Sequence, residues 1–211
     1  MRNITPTIWC ISVRGYEVRY GNGREKKAIF GIINKTLQSP PKVTAYYDNT
    51  DTYRIDMYIG ADCPEKGFTT YSTIGLSEYP IYLTDITGRQ IGVEYIGICQ
   101  SGYTEFADIL ASCAFNIIKN GCSCAHGMVY PNIICVYHEG LAMKHIYYTT
   151  PSFHEELHEQ QLDGRLIKWL LAIPISDNEL EYLKEHGAEA FETLLEDNDT
   201  PFFDLSRPSV I

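Results

Sequence analysis

The stretch YTEFADILASCAFNIIKN, residues 103–120, is the strongest indication of the fold class of this chain. Its apolar residues recur at spacings of three and four, so they form one stripe along a helix, and Gly121 follows as a stop signal. The stripe comprises Phe106, Ile109, Leu110, Cys113, Ala114, Ile117 and Ile118. Because strand-like segments precede and follow it, we expect this helix to lie against a sheet.

The segments before this helix predict one further helix and a mostly antiparallel sheet. Apolar residues at helical spacing predict a helix over Arg24–Leu37. KVTAYY (42–47) and TYRIDMYI (52–59) flank a turn rich in Asp and Asn and predict a hairpin with one solvent-exposed face. The other strand-like runs are FTTYSTI (68–74), PIYL (80–83) and QIGVEYIGI (90–98), with a Thr87-Gly88 turn between the last two.

The segments after it alternate between strand-like and helical patterns. Strand-like runs are MVYPNIICVY (128–137), LAMKHIYYTT (141–150) and RLIKWLLAI (165–173), and SFHEELHEQ (152–160) reads as a short helix. Ser176 to Glu179 is a capping box that opens a helix, Gly187 ends it, and a second helix is predicted over 188–197. No linker interrupts this order, so we predict one α+β domain over 24–211, with residues 1–23 as an N-terminal extension.

Composition and charge restrict the function classes. The 211 residues include 45% hydrophobic and 21% charged residues, typical of a globular protein. No apolar run approaches the roughly 20 residues of a membrane span, and the seven cysteines form no regular framework, so we expect a cytoplasmic protein with reduced thiols. The formal charge of -10 repels phosphate backbones and attracts cationic surfaces. Direct nucleic-acid binding is therefore not expected.

The sequence HEELH, from His154 to His158, matches the pattern of zinc peptidases and offers a zinc-dependent hydrolase as an alternative function. That chemistry needs both imidazoles on one face of a long buried helix, with Glu155 acting on a metal-bound water. However, Ser152 and Glu155 form a capping box of their own, and only about ten residues separate Pro151 from Gly164. We therefore interpret the match as helix-capping chemistry and assign no metal or catalytic residue.

Two other groups of residues could carry chemistry. Cys122, Cys124 and His126, with Cys135 and His138 nearby in sequence, could ligate a metal, although a loop of small residues with reduced thiols explains them equally well. Cys99 and His145 could form a thiol–imidazole pair, although Cys99 closes an apolar strand and is better explained as a packing residue. No cofactor is assigned.

An ordered set of segments in this chain resembles a suppressor-of-fused domain. The segments are TTYSTIGLSEYP (69–80), VEYIGI (93–98), ILASCAFNII (109–118), LAMKHI (141–146), KWLLAIPIS (168–176) and DLSRPSVI (204–211). The resemblance runs from about Lys26 to Ile211 and is closest to the small bacterial members, the YqcF-type antitoxins. It implies an α/β sandwich with a mixed, mostly antiparallel central sheet flanked by helices, and it implies no catalysis.

The resemblance also implies a function. Small bacterial members are regarded as immunity proteins that bind a cognate secreted polymorphic toxin, often a nuclease with an LXG-type export domain, and occlude its active site in the cytoplasm. An acidic protein suits this task because nucleases present basic surfaces. A regulatory protein-binding adaptor is a further alternative, and the oligomeric state stays open. As candidate partner contacts we name acids expected to be exposed: Asp48, Asp51, Glu78, Glu179 and Glu181.

Overall fold

The computed structural model describes residues 12–14, 23–153, 155–162 and 164–211, with 12–14 described by backbone alone. Three α-helices lie in these ranges: α1 (Arg24–Leu37), α2 (Phe106–Asn120) and α3 (Asp177–Asp197). Nine strands accompany them: β1 (Ser12–Arg14), β2 (Pro41–Tyr47), β3 (Arg54–Ala61), β4 (Phe68–Ile74), β5 (Ile91–Gln100), β6 (Val129–Tyr130), β7 (Met143–Thr149), β8 (Glu159–Leu162) and β9 (Arg165–Ser176). No helix in this described part is long and apolar enough to span a membrane.

The strands form one mixed sheet in the order β1-β2-β3-β4-β5-β9-β7-β6, with β8 paired to β9. The pairing of β5 with β9 is parallel, while the other strand pairs described are antiparallel. Two strands share the edge of β9 that faces away from β5. β8 pairs with residues 165–168 of β9, and β7 pairs with residues 171–176. The predicted mixed, mostly antiparallel sheet is confirmed.

Helices cover both faces of the sheet, as expected of an α/β sandwich. Consecutive residues of β9 point to opposite faces: Trp169 and Leu171 pack with α1 and α3, whereas Leu170 and Ala172 pack with α2. The two tyrosines of β7 divide in the same way. The Tyr147 hydroxyl donates to Glu192 of α3 at 2.7 Å, and the Tyr148 ring stacks on Tyr95 with centroids 4.7 Å apart. Each face therefore has its own apolar core.

A glycine allows α2 to lie close to the sheet. An added Cβ at Gly97 of β5 would lie 2.7 Å from Phe106 Cε1 and 3.1 Å from Leu110 Cδ1, which is closer than van der Waals contact permits. Both side chains belong to the predicted apolar stripe and are completely buried. Burial of such a side chain stabilises the fold by about 1.5 to 3 kcal/mol, so the stripe anchors this layer of the sandwich.

Several predicted elements are confirmed with their boundaries close to those expected. Helix α1 has the predicted limits, and Gly121 ends α2 in the left-handed conformation. Ser176 caps α3 and forms a complete capping box with Glu179. Gly187, with φ 84° and ψ 172°, interrupts α3 where the sequence predicts one helix ending and another beginning. Strand β1, which lies within the segment 1–23, pairs with β2.

The hairpin of β2 and β3 was expected to have one solvent-exposed face, and that expectation is wrong. Asp56 is only 4% exposed, because α1 covers the face on which it lies. Its carboxylate accepts a hydrogen bond from Arg54 and lies 3.6 Å from the ammonium of Lys26 in α1. Tyr58, on the same face, is also buried and packs on Phe30. Alternation of polar and apolar residues therefore overstated the exposure of this strand.

Three further predictions of secondary structure are wrong in whole or part. PIYL forms no strand, since Tyr82 adopts a positive φ of 57° that breaks the extended chain. In MVYPNIICVY only Val129 and Tyr130 are a strand, because Pro131 has no amide to donate and Asn132 turns the chain with φ 57°. The short helix expected over SFHEELHEQ is a single 3-10 turn, Glu155–Leu157, followed directly by β8.

The contact at Gly97 leads to a test of the packing of α2. We expect Gly97→Ala to lower the free energy of unfolding by about 1 to 3 kcal/mol, because the new methyl group must displace Phe106 or Leu110. Gly102→Ala is the matched control, since no atom lies within 4 Å of an added Cβ there. Urea unfolding followed by circular dichroism measures both variants, and equal losses in the two would contradict this account of the packing.

Candidate functional site

The outer face of α3 is an acidic surface of the described structure. Its buried face consists of Leu183, Phe191 and Leu195, which pack on the sheet together with the capping residue Glu179. Outward-facing acids follow one another along the helix: Asp177, Glu181, Glu185, Glu189, Glu196 and Asp197. Lys184 and His186 are the exposed basic or titratable residues among them. We call this surface the α3 acidic face, and its potential favours a cationic partner.

Glu179 does not belong to the α3 acidic face, contrary to the expectation that it is exposed. Its side chain is 0% exposed and forms a bidentate ion pair with Arg207, at 2.6 and 2.8 Å. Arg207 also donates to the carbonyl of Pro174, while the amide of Val210 donates to Glu179. The pair therefore holds the C-terminal segment against the start of α3. A buried carboxylate with these partners is a structural group.

Asp48 was also expected to be exposed, and it is buried. One carboxylate oxygen accepts hydrogen bonds from the amides of Thr52 and Tyr53, at 2.8 and 2.9 Å, and the other from Thr50 and Lys119. Burial by itself would raise the pKa of Asp48, but the hydrogen bonds from Lys119, Tyr53 and Thr50 outweigh it and hold the pKa well below its usual range. Asp48 therefore closes the β2–β3 turn and joins it to α2.

The other three predicted contacts are exposed, as expected. Asp51 lies in the β2–β3 turn with a positive φ of 53°, and Glu181 lies on the α3 acidic face. Glu78 lies between β4 and β5, where its carboxylate is 3.9 Å from Lys26. Partial burial raises the pKa of Glu78, although Lys26 opposes the shift. The five acids thus belong to three separate segments of the chain.

A further carboxylate, which the sequence analysis did not single out, lies in the middle of the sheet. Glu94 of β5 is 0% exposed and accepts hydrogen bonds from five donors, at 2.6 to 3.2 Å. The donors are the hydroxyls of Thr73 and Ser77 and the amides of Gly75, Leu76 and Ser77. Burial raises the pKa of Glu94, and these donors oppose that shift. A glutamate within an apolar strand pattern is a sequence signal for a buried carboxylate. Its hydrogen-bond donors could not be predicted from the sequence, because they come from another strand and a turn.

The HEELH segment lacks the helix that zinc-peptidase chemistry needs. His154 lies outside the described residues, but Glu155 is in a 3-10 turn and His158 directly precedes β8. Glu155 is exposed, and the Nε2 atom of His158 is buried without a hydrogen-bond partner in the described structure. Across the described ranges, no three His, Cys, Asp or Glu side chains are placed to hold a metal ion. The described residues of the segment therefore belong to the connection between β7 and β8.

The cysteine and histidine groups considered in the sequence are also separated. His126 lies 3.3 Å from Glu192, whereas Cys124 is buried in the core. Burial raises the pKa of Cys99 to about 12, so its thiol is a poor nucleophile. His145 accepts a hydrogen bond from the amide of Asn132 and pairs with Asp177 through Nε2 at 3.0 Å. The six cysteines of the described residues are free thiols, as expected.

A cavity of about 560 Å³ lies where the edge of β9 passes from β8 to β7. Its lining includes Leu83, Val93, His126, Thr150, Lys168 and Trp169. Among its polar groups, Lys168 lies 3.6 Å from Glu159 and His126 lies 3.4 Å from the hydroxyl of Thr150. The Nε2 atom of His158 and the Nε1 atom of Trp169, which also line the cavity, are buried without a hydrogen-bond partner in the described structure.

Comparison with known proteins identifies the family to which this fold belongs. Residues 48–208 match the family described as Suppressor of fused protein (SUFU). The chain is also 34% identical over 192 residues to the Immunity protein YqcF of Bacillus subtilis (strain 168), covering 90% of this chain and 100% of that protein. The chain therefore belongs to the suppressor-of-fused family, as its landmark segments indicated.

Solved structures agree on the fold. A putative suppressor-of-fused homologue from Neisseria gonorrhoeae FA 1090 superposes with a TM-score of 0.67 at 16% identity, covering 89% of this chain and 97% of that one. The Sufu–Fu complex gives 0.63 at 13% identity, covering 88% and 92%. Drosophila Suppressor of Fused gives 0.63 at 12% identity, where this chain spans 51% of the other. The predicted α+β sandwich is thus a fold shared with these proteins.

The buried state of Asp48 leads to a pH-dependent prediction. Its pKa is lower in the folded than in the unfolded chain, so its stabilisation is complete above pH of about 5 and declines as the pH falls toward the folded pKa. We expect Asp48→Asn to cost about 2 kcal/mol of unfolding free energy near pH 7, and the difference from wild type to shrink below pH of about 4. Urea unfolding at several pH values measures this. Asp51→Asn, in the same turn, should change stability by less than about 0.5 kcal/mol.

The cluster around Glu94 gives a second test. Glu94→Gln places an amide donor among five donors, so we expect it to lower the free energy of unfolding by about 2 to 4 kcal/mol. Glu105→Gln, at an exposed position, is the control and should have little effect. Five donors directed at the carboxyl group favour its ionised form. Glutamine would replace a protonated Glu94 at little cost, so a loss below about 1 kcal/mol would contradict the ionised form.

Proposed function

We propose that this chain is an immunity protein that binds a cognate toxin and neutralises it without chemistry of its own. The observation that carries the proposal is the 34% identity to Immunity protein YqcF, which extends over the whole of that relative. Identity at that level along a full domain preserves the fold and the general mode of action more readily than the details of a contact surface. The proposed activity is therefore binding of a protein partner, without catalysis.

Charge supports a basic partner, and we propose a secreted nuclease toxin, of the LXG-exported type, as the partner. A nuclease must attract phosphates, so its active-site surface carries Lys and Arg. The net charge of -10 and the exposed carboxylates of the α3 acidic face complement such a surface. Complementary charge accelerates association, which matters when the toxin is made in the same cytoplasm as its target.

Occlusion of the toxin's active site is the mechanism that we propose. The α3 acidic face would lie over the basic cleft, with Glu181 as one contact and Asp51 and Glu78 as further candidates at the margins. A regulatory adaptor is a second candidate, and the likeness to the suppressor-of-fused chain of the Sufu–Fu complex favours it. Both functions rest on protein binding, and they differ in whether the partner is a toxin.

Co-expression distinguishes the two functions. The toxin domain encoded by the neighbouring gene is expressed with and without this chain, and growth and co-purification are measured. Immunity predicts that growth is restored in proportion to this chain's abundance and that a stoichiometric complex is recovered. Growth arrest that persists although both proteins are soluble would contradict immunity, and an intact complex without rescue would favour the adaptor.

The contribution of the α3 acidic face can be measured separately. We expect the triple variant Glu181→Gln, Glu185→Gln, Glu189→Gln to lower the association rate with the toxin domain by at least about tenfold at low salt, because steering depends on local charge. The control, Glu65→Gln, Glu105→Gln, Glu139→Gln, removes the same formal charge from exposed positions elsewhere. Equal rates for the two variants in stopped-flow measurements would place the contact away from α3.

A further inference from the structure

A short projecting hairpin over residues 80–90, which we call the finger hairpin, connects the turn at Leu76–Glu78 to β5. Its base is fixed to the core, because Ile81 is completely buried and its carbonyl accepts a hydrogen bond from Ser123. The two arms pair through Thr84 and Gln90, and the amide of Ile91 donates to the carbonyl of Leu83 at 2.9 Å. The finger hairpin is therefore a formed element.

Side chains alternate along the first arm, and the outward positions carry large apolar groups. Tyr82 is 79% exposed and Ile86, at the tip, is 105% exposed, so these are the two most exposed large hydrophobic side chains of the described residues. Isolated apolar side chains on a surface need no explanation. Here, however, two of them project from one short hairpin whose intervening inward residue, Leu83, packs against the core.

The backbone at Tyr82 is strained in a way that keeps this side chain outside. Its φ of 57° lies in the left-handed region, which bulky aromatic residues rarely occupy. The ring rests against the backbone of Gly121 at the end of α2, where an added Cβ would lie 3.3 Å from Tyr82 Cε2. Strain held in place by the surrounding structure is characteristic of functional positions.

The tip is rigid before any partner arrives. The carboxylate of Asp85 accepts hydrogen bonds from the amides of Thr87 and Arg89 and from both of their side chains, at 2.7 to 2.9 Å. The amide of Asp85 donates to the carbonyl of Arg89, and Gly88 turns the chain with φ 83°. A pre-ordered tip loses little conformational entropy on binding, which favours affinity.

We propose that the finger hairpin is the apolar anchor of the toxin complex, with Ile86 and Tyr82 inserted into a concave apolar cleft of the toxin domain. This inference rests on the proposed function and adds a contact that is independent of the α3 acidic face. Projecting shape and apolar tips fit a cleft, and buried aromatic anchors supply most of the binding energy in protein interfaces. A net charge of -10 opposes docking to an anionic membrane and is complementary to a cationic protein surface, which favours the toxin domain as the occupant.

The test uses the full chain and the toxin domain encoded by the neighbouring gene. We expect Ile86→Ser and Tyr82→Ser each to weaken the equilibrium affinity by at least about tenfold, mainly through faster dissociation. Met128→Ser is the matched control, since Met128 is 43% exposed and lies outside the finger hairpin. Its affinity should stay within about threefold of wild type. Surface plasmon resonance gives both rate constants.

A further variant separates folding from binding. Asparagine accepts the left-handed region, so Tyr82→Asn should melt at or above the wild-type temperature while losing affinity as Tyr82→Ser does. Wild-type affinity in the Ile86 and Tyr82 variants would overturn this inference and leave the immunity proposal intact. A wild-type chain that does not bind the toxin domain would overturn both. Binding to phosphatidylglycerol vesicles, or self-association, that Ile86→Ser abolishes would assign the finger hairpin to that occupant and overturn the inference.

Discussion

The buried carboxylate of Glu94 is the constraint on which the arrangement of this fold depends. Its five donors fix the chain between β4 and β5, since three of them are consecutive amides of the turn at residues 75–77. Ser77 in turn lies 3.0 Å from Glu25 at the start of α1, and its carbonyl accepts a hydrogen bond from Arg165 at the start of β9. The hydrogen bonds around this one buried carboxyl group thus link a turn, a helix and the parallel strand pair.

The carboxylates of this protein form two groups, one buried in the fold and one exposed to solvent. Asp48, Glu94 and Glu179 are inside and each has several hydrogen-bond donors, so their charges are compensated within the fold. On the α3 acidic face, Asp177 pairs with Lys144 and His145. The other carboxylates of that face are exposed, so their field extends into solvent. In the proposed complex the exposed carboxylates would provide an electrostatic contact, and the finger hairpin would add an apolar one.

The buried acids also explain two of the landmark segments. In the segment over 69–80, Thr73, Gly75 and Ser77 donate hydrogen bonds to the carboxylate of Glu94. Arg207 lies in the C-terminal segment because its guanidinium neutralises Glu179. These residues therefore compensate buried charge in the core of this chain.

The sequence by itself determined the helices and strands that depend only on residues close together along the chain. Helix α2 follows from its apolar stripe, α3 from its capping box and from Gly187, and the strands β4, β5, β7 and β9 from their composition. Only the tertiary structure decided which charged residues are buried. Asp48 and Glu179 look like surface acids in sequence, but Lys119 and Arg207, which are 71 and 28 residues away, neutralise them. Hydrophobic periodicity depends on neighbours along the chain, whereas the cost of burying a charge depends on partners that meet only after folding.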